Sequence, residues 1–153
     1  MVEQAVKPFI MRNAIVQLGT DDYAAAVNRA ELVPSGGTSD FKGLKRTAVF
    51  TFPQATTWAL ELDYAQDWGT EGSLSTYLFQ HIGEVVPAVI NPDDLGLSGG
   101  TSWACEVAIT AGAVGGAVDA VAVASVSLGV VGQPVPTYIP AAPAVAADDE
   151  LVP

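Results

Sequence analysis

The chain has 153 residues, half of them hydrophobic and 15% charged, which supplies a core for one domain of ordinary size and excludes a disordered or collagen-like chain. Seventeen acids against six bases leave a net charge of −11, the wrong sign for a protein that grips nucleic acid by neutralising phosphates. The charged fraction is low for a soluble chain, which implies surface buried against other subunits.

In chain order, an N-terminal arm over residues 1–12 precedes expected strands at 14–18 and 26–33. Residues 34–46 read as a long loop, rich in Gly and Ser at its start and basic at its end through Lys42, Lys45 and Arg46. A strand is expected at 47–52, and the clearest one follows it. In residues 57–65, Trp58, Leu60, Leu62 and Tyr64 alternate with Ala59, Glu61, Asp63 and Ala65, the period-two pattern of a half-buried strand. The pattern then changes. Leu74, Tyr77, Leu78 and Ile82 recur at helical spacing, with Ser73 placed to cap the N-terminus and Gly83 at C′, predicting one helix of about two to three turns.

A strand at 84–90 leads into an acidic loop over 91–100 that carries Asp93 and Asp94. Trp103, Cys105, Val107 and Ile109 then alternate with Ala104, Glu106 and Ala108, so the large residues are expected to point inward. Residues 112–116 read as a hairpin connection to a third long strand over 120–132, which Pro134 and Pro136 are expected to bound. Seven or so short strands make a mainly β chain, a β-sandwich or barrel with one flanking helix. The domain is expected to cover 1–133, and 134–153 to be an extended Pro/Ala-rich acidic tail.

No segment approaches the roughly 20 apolar residues that a spanning helix needs, so no membrane partner is expected. The first eight residues lack the basic and apolar regions of a secretory leader, and Cys105 has no second cysteine to pair with. Assembly in cytoplasm is the expectation. The charge is also unevenly placed. All six bases lie in the first 46 residues together with five acids, whereas the remainder carries 12 acids and no base. Opposed charge within one subunit favours head-to-tail contact between copies, which closes into rings or continues as filaments.

Enzyme chemistry finds little support. The single histidine, His81, falls at the helix C-terminus, where packing or capping is the simpler role, and no nucleophile elbow accompanies it. The glycine clusters at 96–100 and 112–116 lie in the Lys-free region and read as turns rather than phosphate loops. One Cys and one His do not make a zinc site, and the paired aspartates lack the spacing of a calcium loop. Glu61 and Asp63 lie on one strand face, roughly 6.5–7 Å apart, a separation that overlaps the carboxyl spacing of inverting glycosidases. Adjacent acids on a polar strand face are common, however. No catalytic residue, cofactor or metal is therefore assigned. Trp58 and Trp103 are expected in the core, and Trp68, just beyond a strand end, as an exposed aromatic.

The run from Thr57 to Trp68, the helical segment from Ser73 to Glu84, Gly115-Gly116-Ala117-Val118-Asp119 and the stretch from Ser125 to Pro134 resemble the major tail (tail tube) proteins of long non-contractile-tailed, siphovirus-type bacteriophages. The resemblance spans roughly residues 47–134. It implies a tail tube fold assembled as hexameric rings, stacked around a tape-measure protein and closed by tail-end proteins. DNA would pass through the tube without specific binding, and the protein would reside in the virion. On this reading Glu61, Asp63 and Glu106 are candidate lumen-lining acids. Lys42, Lys45 and Arg46 of one ring are candidates to meet Asp93 and Asp94 of the next. The competing expectation is a monomeric β-sandwich binding module, of carbohydrate-binding or adhesin type, using Trp68 and the acidic loops.

Overall fold

A computed structural model describes residues 1–140 apart from Lys7, Arg12 and residues 93–99. Among the described residues, nine strands and one α-helix follow in the order β1 (Ile15–Leu18), β2 (Asp21–Asp22), a 3-10 turn at Ala24–Ala26, β3 (Val27–Ser35), β4 (Thr38–Lys42), β5 (Val49–Pro53), β6 (Thr57–Ala65), α1 (Leu74–Gln80), β7 (Val85–Asn91), β8 (Gly100–Ala108) and β9 (Val123–Ile139). Seven strands make one antiparallel sheet in the order β2-β1-β7-β8-β9-β6-β3, and β4 pairs with β5 alone. The sheet curls into a half-barrel. The expected mainly β fold with one short helix is the observed one.

The inner face follows from the alternation. Leu60, Leu62 and Tyr64 of β6, Ala124, Val126 and Leu128 of β9, and Val107 of β8 are all buried, and Leu74 and Leu78 of α1 pack among them. At roughly 1.5–3 kcal/mol for each fully buried large side chain, this shared core is what orders the two turns of helix, too short to persist alone. Ser73 caps the N-terminus as expected, but the helix ends earlier than the sequence suggests, so Gly83 (φ 87°) stands two residues past the C-cap instead of at C′. The Ser73 hydroxyl accepts from the Thr76 amide, and His81 is the C-cap residue, its amide donating to Tyr77 O. The His81 ring stacks on Tyr77 at 4.2 Å, and Tyr77 in turn lies 5.5 Å from Tyr23. Burial pushes the Tyr23 phenol up to about 12, helped by the nearby Asp21 charge. Ile82 lies beyond the helix and is exposed, not on its buried face.

Two elements differ from the sequence reading. The segment expected as a loop contains β4, which turns through residues 43–48 into β5. The final strand starts later and runs through Pro134 and Pro136 to Ile139 instead of stopping before them. Its first half pairs with β6 as far as Gly129, and its second half pairs with β8. Past Gly129 no described strand pairs with the edge that faced β6, so a proline there removes no described ladder bond on that side. Pro134 lies inside a register break in which residues 132–134 stand opposite Cys105, with Gly132 at φ 81° supplying a turn that a side chain would strain. The Cys105 thiol is half-buried and its pKa is raised by that burial.

The β8–β9 connection, residues 109–122, is longer than a simple hairpin and is held by Gln66. The Gln66 amide donates to Gly115 O at 2.9 Å and Val123 O at 3.0 Å, and accepts from Gly115 N at 2.9 Å and Trp68 Nε1 at 3.1 Å. Its backbone N–H adds a bond to Ala122 O. The same connection approaches the core so closely at Gly112 that a Cβ there would collide with the Tyr64 hydroxyl. Gly112→Ala is expected to destabilise the chain by about 1–3 kcal/mol, as overpacking does, with the loss reduced in a Tyr64→Phe background. Urea melts of the four members of that cycle check it.

Candidate assembly surfaces

The sheet's outer face is polar over β3, β6 and the first half of β9. Antiparallel register sets Arg29 opposite Asp63 and Glu31 opposite Glu61. Arg29 Nη2 donates to Glu31 Oε2 and to Glu61 Oε2 at 2.9 Å each, Nε to Glu31 Oε1 at 3.2 Å, and Nη1 to Asp63 Oδ2 at 3.4 Å. Donation to the carboxylates of Glu31 and then Glu61 holds the guanidinium still more firmly protonated than usual. One cation among three carboxylates leaves the group at −2. Beside it Ser125 and Ser127 complete a shallow depression of about 400 Å³. Glu61 and Asp63 thus share an arginine rather than forming an acid and base pair across a cleft.

Glu106 lies on the same outer face. Glu61 stands opposite Ser127, and Glu106 opposite Val131, four residues further along β9, a separation of about 13 Å along that strand. Its neighbours by register are Pro87 and Val131, so it is a single charge in a small, apolar stretch of sheet. The three acids expected to act together therefore share a face but divide between an ion-paired group and a solitary carboxylate.

The β4–β5 ribbon continues the β3–β6 pair past Gly36, where Thr56 packs closely, and makes no extensive contact with another element of the described chain. Phe41 stands opposite Phe50 and Ser39 opposite Phe52, which puts three phenylalanines on one face. The Phe41 and Phe50 rings lie 6.4 Å apart at 29°. All three are more than half exposed. Lys42 ends β4, and Lys45 and Arg46 lie exposed in the turn, where Gly43 N donates to Ala48 O at 2.6 Å. An isolated two-stranded ribbon is marginal in water, and uncovered aromatics on it mark a surface made for contact. Asp93 and Asp94, the expected partners of these bases, lie outside the described residues.

At the ribbon's end of the half-barrel a cavity of about 380 Å³ opens between Leu32, Trp58, Ile90 and Trp103, with Phe9 and Met11 of the N-terminal arm on its wall. Trp58 and Trp103 are half-buried here rather than closed inside the core. The opposite end holds α1. There Gly83 N donates to Ile109 O at 3.0 Å and Ile109 N to Glu84 O at 2.8 Å, tying the helix exit to the end of β8. Trp68 is exposed as expected and meets Phe79 edge-on at 6.4 Å. Asp67, Glu71, Glu84 and Asp119 lie exposed around this end, with no Lys or Arg in residues 66–84 or 109–122. Asp67 Oδ1 accepts from the Gly69 and Thr70 amides, and bonds to Thr70 and Gly69 lower its pKa.

Arg29 as the partner of Glu61 and the aromatic face of the ribbon were missed from sequence. Alternation of Ser39 and Phe41, then Phe50 and Phe52, was the available signal, outweighed by the adjacent Gly36 and Gly37. Among the described residues no group of three or more His, Cys, Asp or Glu is arranged to hold a metal, and no helix is long and apolar enough to cross a membrane.

Neither a protein-family model nor a curated relative matches the chain. Its fold is similar to that of a sheath/tube terminator from an extracellular contractile injection system (PVC), seen by cryo-EM in the extended state. The TM-score is 0.62 at 15% identity, over 88% of this chain and 99% of that one.

Removing the arginine leaves Glu31, Glu61 and Asp63 facing one another across two strands. Arg29→Gln is expected to lower the melting temperature by a few degrees in low salt, with most of the loss recovered at about 1 M NaCl, where screening reaches roughly 3 Å. Calorimetry at both ionic strengths measures it.

Proposed function

We propose that the chain is a structural, non-catalytic component of a phage-tail-like particle, which associates with copies of itself into rings that surround a channel. The projecting ribbon, with Phe41, Phe50 and Phe52 uncovered and a basic turn at its tip, carries the reading. A monomeric protein gains nothing from exposing that surface. The fold shared with a tail terminator supports it, as does the segregation of every base into the first 46 residues.

In its finer form the reading is a tail tube of siphovirus type: hexameric rings stacked around a tape-measure protein, closed by tail-end proteins, carrying DNA during ejection. The particle is a virion assembled in the host cytoplasm. The sheet face with Glu61, Asp63 and Glu106 then lines the lumen. Fixed negative charge repels phosphate within a screening length of about 8 Å, which discourages adhesion without blocking passage. Lys42, Lys45 and Arg46 act in the contact between rings, with acids of the neighbouring copy, Asp93 and Asp94 among them, as counter-charges. The likeness to a terminator favours a second form of the same reading, in which one ring caps a tube end.

Light scattering and negative-stain imaging over a concentration series test the proposal. Long hollow tubes support the tube body, and rings that do not stack support the cap. A strictly monomeric species at every concentration overturns self-association and shifts weight to the monomeric binding module. In particles that form, lysine at Glu61, Asp63 and Glu106 together is expected to leave assembly intact and slow DNA passage. Unchanged ejection kinetics would remove the lumen assignment.

A further inference from the structure

Resting on the self-assembly reading, we infer that the β4–β5 ribbon of one copy docks against the helix end of the next. The two surfaces sit at opposite ends of one half-barrel. At one end, β3 leaves the sheet and β6 enters it, and the ribbon extends outward by about 17–25 Å, the reach of five to eight extended residues. At the other, α1 and the 109–122 connection close the barrel. The ribbon projects away from its own helix end, so the contact lies between copies.

The surfaces match in two independent respects. Each is apolar where it is exposed: Phe41, Phe50 and Phe52 on the ribbon, and Trp68, Phe79 and Ile82 at the helix end, more than two-fifths exposed in every case. Aromatic residues paired across a contact are the usual anchors of interface energy. Their charges are also opposite. The ribbon carries Lys42, Lys45 and Arg46 against a single acid, Asp40, while the helix end carries Asp67, Glu71, Glu84 and Asp119 and no base.

The solitary Glu106 on the outer face offers far less. The arginine-paired acids Glu31, Glu61 and Asp63 already have a cation, so they attract a second one less strongly than the unopposed acids of the helix end. A surface at one end that fits the other end is heterologous, and repeats from copy to copy along one direction. Charge steers the approach and fixes the polarity, and aromatic burial holds it.

A charge exchange tests the contact. Lys42→Glu, Lys45→Glu and Arg46→Glu together make both ends of one variant negative. Glu71→Lys with Glu84→Lys makes both ends of a second variant positive or neutral. Each variant alone, shown by circular dichroism to fold and melt as the wild type does, is expected to self-associate about tenfold or more weakly at 0.1 M salt. An equimolar mixture is expected to recover association, because the basic ribbons of the second variant then find the acidic helix ends of the first, while the reverse junction meets a neutralised end instead of a like charge. If either variant alone assembles as the wild type does, or if the mixture recovers nothing, the docking is wrong while self-assembly of the wild type still stands. A wild-type chain that stays monomeric overturns both.

Discussion

A curled sheet needs a strand that belongs to both of its halves, and here that strand is β9. Its first half completes the polar side with β6 and β3, and its second half completes the side built from β8, β7, β1 and β2. Neither half is a stable unit without the other, since each presents one apolar face that only the other half and α1 cover. The change of partner occurs between Gly129 and the register break at 132–134, where Gly132 adopts a conformation that few side chains tolerate. A register break of this kind bends a strand and increases its twist, as a curled sheet requires.

The same constraint explains what could be read from sequence and what could not. β6 is legible to the residue, because one buried face and one polar face impose strict alternation on Trp58 to Ala65. The start of the helix is legible for a similar local reason, its Ser73 cap, whereas its end falls before the place Gly83 suggests. β9 was only half legible. Its alternation holds from Ala124 to Leu128 but stops meaning anything once the strand changes neighbours, and its prolines are tolerated by an open edge that no local pattern announces. Of the ribbon, β5 matches the strand expected at 47–52, whereas β4 reads as loop because it buries nothing in the single copy. Period-two patterning reports a buried face, and here the face is exposed.

Surface charge behaved likewise. Counting acids along β6 identified Glu61 and Asp63 as a pair, but the cation that joins them sits on a neighbouring strand 32 residues away in sequence from Glu61. Only the pairing register brings it there. The broad separation of bases from acids, by contrast, survives folding: the ribbon's bases and the helix end's acids emerge at opposite extremes of one body. Such a molecule has a charge polarity along its length.

The way β3 and β6 prolong into β4 and β5 has one more consequence. Lys45 and Arg46 sit in the exposed turn at the far tip, where a trypsin-like protease has ready access. A cut there severs the chain without loosening the body, because β3 and β6 stay zipped from Val27 to Ser35. Nicked protein would keep its melting behaviour and lose only the continuity of the ribbon. The fold thus places its buried core and its exposed aromatic surface on different stretches of chain, so natural variation or proteolysis can alter one and spare the other.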